Sequence, residues 1–288
     1  MIAVSRAAGL GRRLQWAHSW SARVGLLVLA LVFGAAFIGP YVAPYSTSEL
    51  AGIPYSTPSG KFLLGNDYLG EDVLSRVLSG GRTVILFGGL ATILAYAVGG
   101  TIGLVAGFSR SKLDPVLMRA MDVLLAFPPI LFLLVIATGA GASLVALVIA
   151  IAVIHVPSIA RIVRTAALET SVRGYVEAAV ARGDRTHVIL RREILPNIWG
   201  PIMADAGPRF TVSILLVAAV NFLGLGLSPP AADWAMMISE NRSGITINPW
   251  AVVVPALLIA ALTVSINVVA DAIAHSLGRS VDVKALRR

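Results

Sequence analysis

The sequence predicts an all-α membrane protein with six transmembrane helices, and three observations predict it. Of its 288 residues, 57% are hydrophobic and 13% charged, with a mean hydropathy of +0.84, a balance that soluble domains do not carry. Six stretches reach the roughly 20 mostly apolar residues that a helix needs to cross ~30 Å of hydrocarbon. The basic residues gather on alternate connections between those stretches.

The six spans are expected at Val24 to Ala43, Thr83 to Phe108, Val116 to Thr138, Ser143 to Val163, Ile202 to Leu227 and Trp250 to Ile266. They divide the chain into a basic segment 1–23, a first helix 24–43, an outer loop 44–82, a five-helix core 83–272 with an inner loop 164–201, and a tail 273–288. With the N-terminus inside, eighteen of the 23 Lys and Arg residues fall on the inner side, so the positive-inside rule puts both termini in the cytoplasm. The net charge of +8 is thereby explained by topology, and nucleic-acid binding is not expected. The apolar run Val24 to Ile38 behind basic residues has the look of a signal peptide, but five further spans favour an uncleaved anchor. There are no cysteines, which excludes disulfides, thiolate metal sites and a cysteine nucleophile.

The outer loop is rich in turn formers from Pro44 to Gly60. Beyond it, Val73, Leu74, Val77 and Leu78 would share one face of a short interfacial helix with Asp67 available as its cap. Either a solvated loop helix or a functional lid fits that pattern. In the second span Ala91, Ala95, Gly99, Gly103 and Gly107 recur every fourth residue, a ridge of small side chains that lets another helix approach closely. The third span carries Arg119 and Asp122 one turn apart, then Pro128 and Pro129, which remove hydrogen bonds and kink the helix; such a kink can open a path or merely shape packing. His155, Asn267 and Asp271 are polar groups at or near membrane depth, which tend to face protein or water. For His155 satisfied packing is expected over proton transfer.

The inner loop is the most informative stretch. It reads Glu177-Ala178-Ala179, then Gly183, then ten residues, then Ile194-Leu195-Pro196-Asn197. Ala178, Ala179 and Ala181 make a slim helix able to enter a groove on another protein, Gly183 permits a sharp turn and Pro196 stops the following helix. This spacing resembles the EAA loop of bacterial ATP-binding-cassette importer permeases. Glu193 stands where the common pattern has isoleucine, and the Ile-Leu-Pro-Asn run is similar to the dipeptide, oligopeptide and nickel branch. Leu64 to Arg76, Leu113 to Pro128, and Asn221 to Pro230 with Asp233-Trp234 resemble the C-type permease of that branch. Two residues depart from the pattern, Glu71 in place of arginine and Asn66 in place of threonine, and the role of the outer segment stays open.

The resemblance implies a type I importer permease whose core is the second to sixth helices, with the first added. It implies a homologous second permease, two ATPase subunits or domains that hold ATP and Mg, and an external substrate-binding protein. It also makes Glu177, Ala178, Ala179, Gly183, Ile194, Leu195 and Pro196 the ATPase-coupling segment. No Gly-x-x-x-x-Gly-Lys-Ser/Thr phosphate loop occurs in the chain, so ATP binding in that manner falls to partners, and no cofactor or catalytic activity is expected here. Peptides are the expected cargo; relatives of the branch also carry nickel chelates and haem. A membrane enzyme would gather titratable groups at one depth and a secondary transporter would show inverted repeats; neither is visible.

Overall fold

The computed structural model describes residues 19–109, 112–141, 143–227 and 231–285, with side chains through residue 274. The expected basic stretch at Arg6, Arg12 and Arg13, together with Arg110, Arg287 and Arg288, lies outside the described residues. Helix α1 is Trp20–Val42 and begins at Ser19, whose hydroxyl accepts from the amide of Ala22. A short outer helix α2, Val73–Ser79, leads into α3, Gly81–Phe108. Then come α4, Leu113–Leu125, α5, Pro129–Gly139, and α6, Leu144–Ser171. In the loop expected on the inner side, α7 is Gly174–Ala181 and α8 is Thr186–Ile189. The remaining helices are α9, Trp199–Phe222, α10, Trp234–Asn241, and α11, Trp250–Ala285. Five of these helices or helix pairs are long and apolar enough to cross a membrane, and α4 with α5 makes a sixth, broken span.

The third span is therefore broken. Expected as one kinked helix, it bends by 77° between α4 and α5. Pro128 takes an extended backbone at φ −60 and ψ 126, as residues before proline do, and Pro129 then starts α5 where its missing amide costs nothing. The fifth span ends at Phe222, short of the expected Leu227, because Gly224 turns the chain at φ 72.

The ridge of small residues lies on the seam between α3 and α6. Ala91, Ala95, Gly99, Gly103 and Gly107 are all buried. A Cβ on Gly99 would sit 2.7 Å from the Val156 carbonyl, one on Gly103 2.5 Å from that of Ala160, and one on Gly107 2.6 Å from that of Arg164. Only glycine lets the backbones come this close, and close approach is what binds helices in lipid, where no hydrophobic drive separates helix from tail. The neighbour across the ridge is thus the chain's own α6.

The core divides by depth. The outer half collects Val32 and Ala36 of α1, Val73 and Val77 of α2, Ile151 of α6, Ile214 of α9 and Trp234 of α10. The inner half continues the seam through Ala95, Ile159, Val163 and Ala167 and runs without interruption into the inner loop. Helix α1 sits at the edge, with Gly25 against Val268 of α11. Arg82 fastens its outer end by donating to the Phe37 carbonyl at 2.7 Å and lying over the Tyr41 ring.

The outer segment is a folded cap. The N-cap of α2 is Asp72, which accepts from the Ser75 amide at 2.9 Å, and the expected cap Asp67 is otherwise engaged. Asp67 lies five residues too far from the Ser75 amide along the chain and folds back instead, accepting from the amides of Leu69 and Glu71 and pairing with Arg76. Asn66 and Glu71, the two departures from the family pattern, are both buried in this cap. Val73, Ser75, Arg76 and Val77 of α2 are buried as well, so α2 is not a solvated loop helix.

Candidate functional site

Helix α7 carries Glu177, Ala178 and Ala179, three of the residues expected to couple to an ATPase, and its eight residues divide by the period of a helix. Val176 and Ala179 are fully buried, while Tyr175, Glu177, Ala178 and Val180 face outward. Under the buried pair lies a pad of Ile189, Ile194 and Ile198 joined to the inner end of the α3–α6 seam. The expectation that Ala178 and Ala179 share the docking surface therefore fails for Ala179. It is small because the pad leaves no room, and the outward surface is Glu177, Ala178, Val180 and Ala181.

The chain after α7 is shaped to return the pad to the helix. Gly183 sits at φ 77, a left-handed conformation that costs other residues about 1 kcal/mol or more, and its amide donates to the Val180 carbonyl at 2.9 Å. The run from α8 passes through a wide turn at Leu190–Ile194 and a tight one at Leu195–Asn197 before α9 begins at Trp199. Pro196 falls in the tight turn, where it interrupts the helical trace without ending it in a loop. Ile194 points inward with Leu195 half-buried and Pro196 exposed, so Ile194 is a foundation of the pad. Burial of the Tyr175 ring raises its hydroxyl pKa above the usual value, against the opposing charge of Arg173.

Beside this loop, α4 is held to α6 by two ion pairs and by a small apolar contact of Met121 with Val156 and Ala160. Asp114 takes a two-pronged bond from Arg164, and Asp122 accepts from Arg161 at 2.5 Å. Asp122 thus pairs across helices, not with Arg119 one turn away. Only Met121 of α4 is buried. A cleft of about 370 Å³ opens next to these pairs, lined by Arg161, Ile162, Thr165, Ala166, Glu169 and Pro201. Pro128 and Pro129 are both exposed at the bend, over a small cavity of about 60 Å³ bounded by Leu124, Phe127, Phe132 and Ile154.

The matching family is described as binding-protein-dependent transport system inner membrane component, and the match covers residues 99–283. The chain belongs to that family. The di/tripeptide transport system permease protein DppC of Pseudomonas aeruginosa is 36% identical, the alignment covering 91% of this chain and 89% of that one. The glutathione transport system permease protein GsiD of Pectobacterium atrosepticum is 32% identical, with 92% and 91% covered. Among solved structures, a chain of the MetNI methionine ABC transporter in an inward facing conformation superposes with a TM-score of 0.58 at 20% identity, covering 71% of this chain and 96% of that one. This last likeness concerns the fold.

In this inner membrane component several site residues escape the sequence pattern. Val176, Ile189 and Ile198 build the pad, but short apolar positions in a loop look the same whether they dock outward or inward. Arg161 and Arg164 were visible only as inner positive charge; their partners lie 39 and 50 residues away. His155 is buried in α6, and its Nε2 has no hydrogen-bond partner among the described residues, contrary to the expectation that its polar atoms are satisfied.

Proposed function

We propose that this chain is the transmembrane permease subunit of an ATP-driven peptide importer and that the outward face of α7 is where its ATPases engage. The observation that carries the reading is α7 itself, a helix whose apolar side is spent on an internal pad and whose Glu177–Ala178 side is left bare. A bare surface of small residues with one carboxylate suits insertion into a groove that offers a base. The pad beneath it is continuous with the α3–α6 seam, so a push on α7 reaches the membrane bundle. The relatives named for di/tripeptide, dipeptide and glutathione transport support peptides as cargo.

A second, homologous permease completes the path. Irregular backbone at membrane depth is tolerated only where protein covers it or where it lines a water-filled cavity, and the broken α4–α5 span buries little within this chain. The face with Pro128, Pro129 and the Arg161 cleft is therefore assigned to that interface and to the route along it. Two ATPase subunits or domains and an external binding protein complete the assembly, in the bacterial inner membrane with both termini cytoplasmic.

The test is reconstitution with the cognate ATPases and binding protein in vesicles. Ala178→Trp and Glu177→Arg place bulk and reversed charge on the bare face, where neither touches the pad. Peptide uptake and peptide-stimulated ATP hydrolysis are expected to fall at least tenfold at unchanged abundance and melting temperature. Wild-type transport by both variants would refute the assignment.

A further inference from the structure

The outer cap holds a charge imbalance that its function in the importer does not require. Arg76 is 1% exposed, and three carboxylates converge on it: Asp67, Glu71 at 2.6 Å and Glu240 of α10 at 3.0 Å. All three are buried or nearly so. Asp67 also accepts from two backbone amides. Glu240 accepts a bond from the Tyr68 hydroxyl at 3.2 Å as well as from Arg76. Among the described residues Glu71 has only Arg76 to balance it, and its carboxyl and that of Asp67 meet at the same Arg76 nitrogen, Nη1. Two carboxyls gathered on one nitrogen in a buried site favour a proton on one of them. The neighbouring Asp72 is occupied by the Ser75 amide and hydroxyl. One guanidinium facing Asp67, Glu71 and Glu240, with Tyr68 at the edge, leaves two negative charges too many for a buried site.

The cap and α10 meet through this cluster. Tyr68 donates its amide to Asn241, Asn248 donates to the carbonyls of Leu64 and Asn66, and Trp234 donates its ring N–H to Val77. Whatever changes the charge of the cluster therefore changes the grip between residues 64–77 and 234–248.

We propose that Glu71 carries a proton when the cap is seated, so that the cap is a proton-dependent clasp that loosens as the surrounding medium turns alkaline. That the medium is the external one rests on the topology proposed above; the clasp itself does not. Burial is the main cause holding the Glu71 carboxyl up to about 7, with Arg76 opposing and Asp67 and Glu240 adding to the rise. Because the seated value exceeds the ordinary 4.5, the stabilisation is complete below pH 4.5 and is lost as pH rises through 7.

Thermal unfolding of the purified chain in detergent tests this with Glu71→Gln, a permanent mimic of the protonated side chain. Wild type and variant are expected to melt together near pH 4.5, with the variant ahead by several degrees at pH 7 and above. A gap that stays constant across that range, or a variant that melts lower throughout, overturns the proposal. A second measurement covers a variant that does not fold. With ¹³C-labelled glutamate, the wild-type infrared spectrum at pH 6 is expected to show a protonated glutamic carboxyl that disappears through about pH 7. In Glu240→Gln the same band is expected to persist but titrate at lower pH, since one repelling charge is gone. Absence of the band in wild type, or its loss in Glu240→Gln, places the proton elsewhere and sinks the idea. None of these readouts involves transport, so they stand apart from a failure of the importer assignment.

Discussion

The outer cap and the inner loop are both connections between spans, and both place short helices outside the bundle, yet they are built on opposite plans. The cap is closed on itself: Asn66, Asp67, Glu71, Asp72 and Arg76 turn inward and find partners within the chain. The inner loop buries aliphatic groups, Val176, Ala179 and Ile194, and leaves its charged residues outside. A polar cluster sealed from water fixes one arrangement, because every alternative strands a charge. An apolar pad fixes position with few directional demands and frees the other side of the helix for a partner.

The difference can be broken most severely at Arg76. Arg76→Met leaves three carboxylates without their cation in a buried site, which is expected to cost about 3–5 kcal/mol and to release the cap, read as loss of the folded chain in thermal unfolding at pH 8. A chain that keeps its wild-type melting temperature would show that the cap is not held by its charges. Next comes Ala179→Trp, which forces an indole into the pad; a destabilisation of about 1–3 kcal/mol follows, whereas Ala178→Trp one residue earlier leaves stability within about 0.5 kcal/mol. Equal melting temperatures for the two would erase the inward and outward faces of α7. Trp234→Phe removes the ring N–H that bonds the Val77 carbonyl while keeping most of the bulk, and a loss of about 1–2 kcal/mol is expected, with accelerated hydrogen exchange at residues 73–79. The smallest effect belongs to Asp184→Asn. It breaks an exposed pair with Arg182 and should move stability by less than about 0.5 kcal/mol.

The six spans were legible because the bilayer demands long apolar runs, and the small-residue ridge was legible because its period matches a helix face. Gly183 read correctly as a turn, since few other residues accept its φ of 77. What escaped was direction and distance. The alanines of α7 look alike on both faces of an eight-residue helix, so the sequence could not say that Ala179 turns in and Ala178 out. Glu71 looked like an arbitrary departure because the group that gives it meaning, Glu240, is more than 160 residues further on. Asp67 and Asp72 are both plausible caps by type, and only the path of the backbone chooses between them. Two adjacent prolines announce lost hydrogen bonds but carry no angle.

The contact between α3 and α6 has a mechanical meaning. With backbone against backbone at Gly99, Gly103 and Gly107, the two helices have no slack to slide past each other along that stretch, so the pair moves as one beam. At 1.5 Å per residue, the 28 residues of α6 make a beam about 42 Å long. Its inner end rests on the pad under α7 and its outer end lies in the core that holds Trp234. A tilt of about 5° would then carry the far end through roughly 4 Å for that length, comparable with the width of an extended chain. On the docking role proposed for α7, a nudge received there is passed along this beam to its far end as a lever stroke.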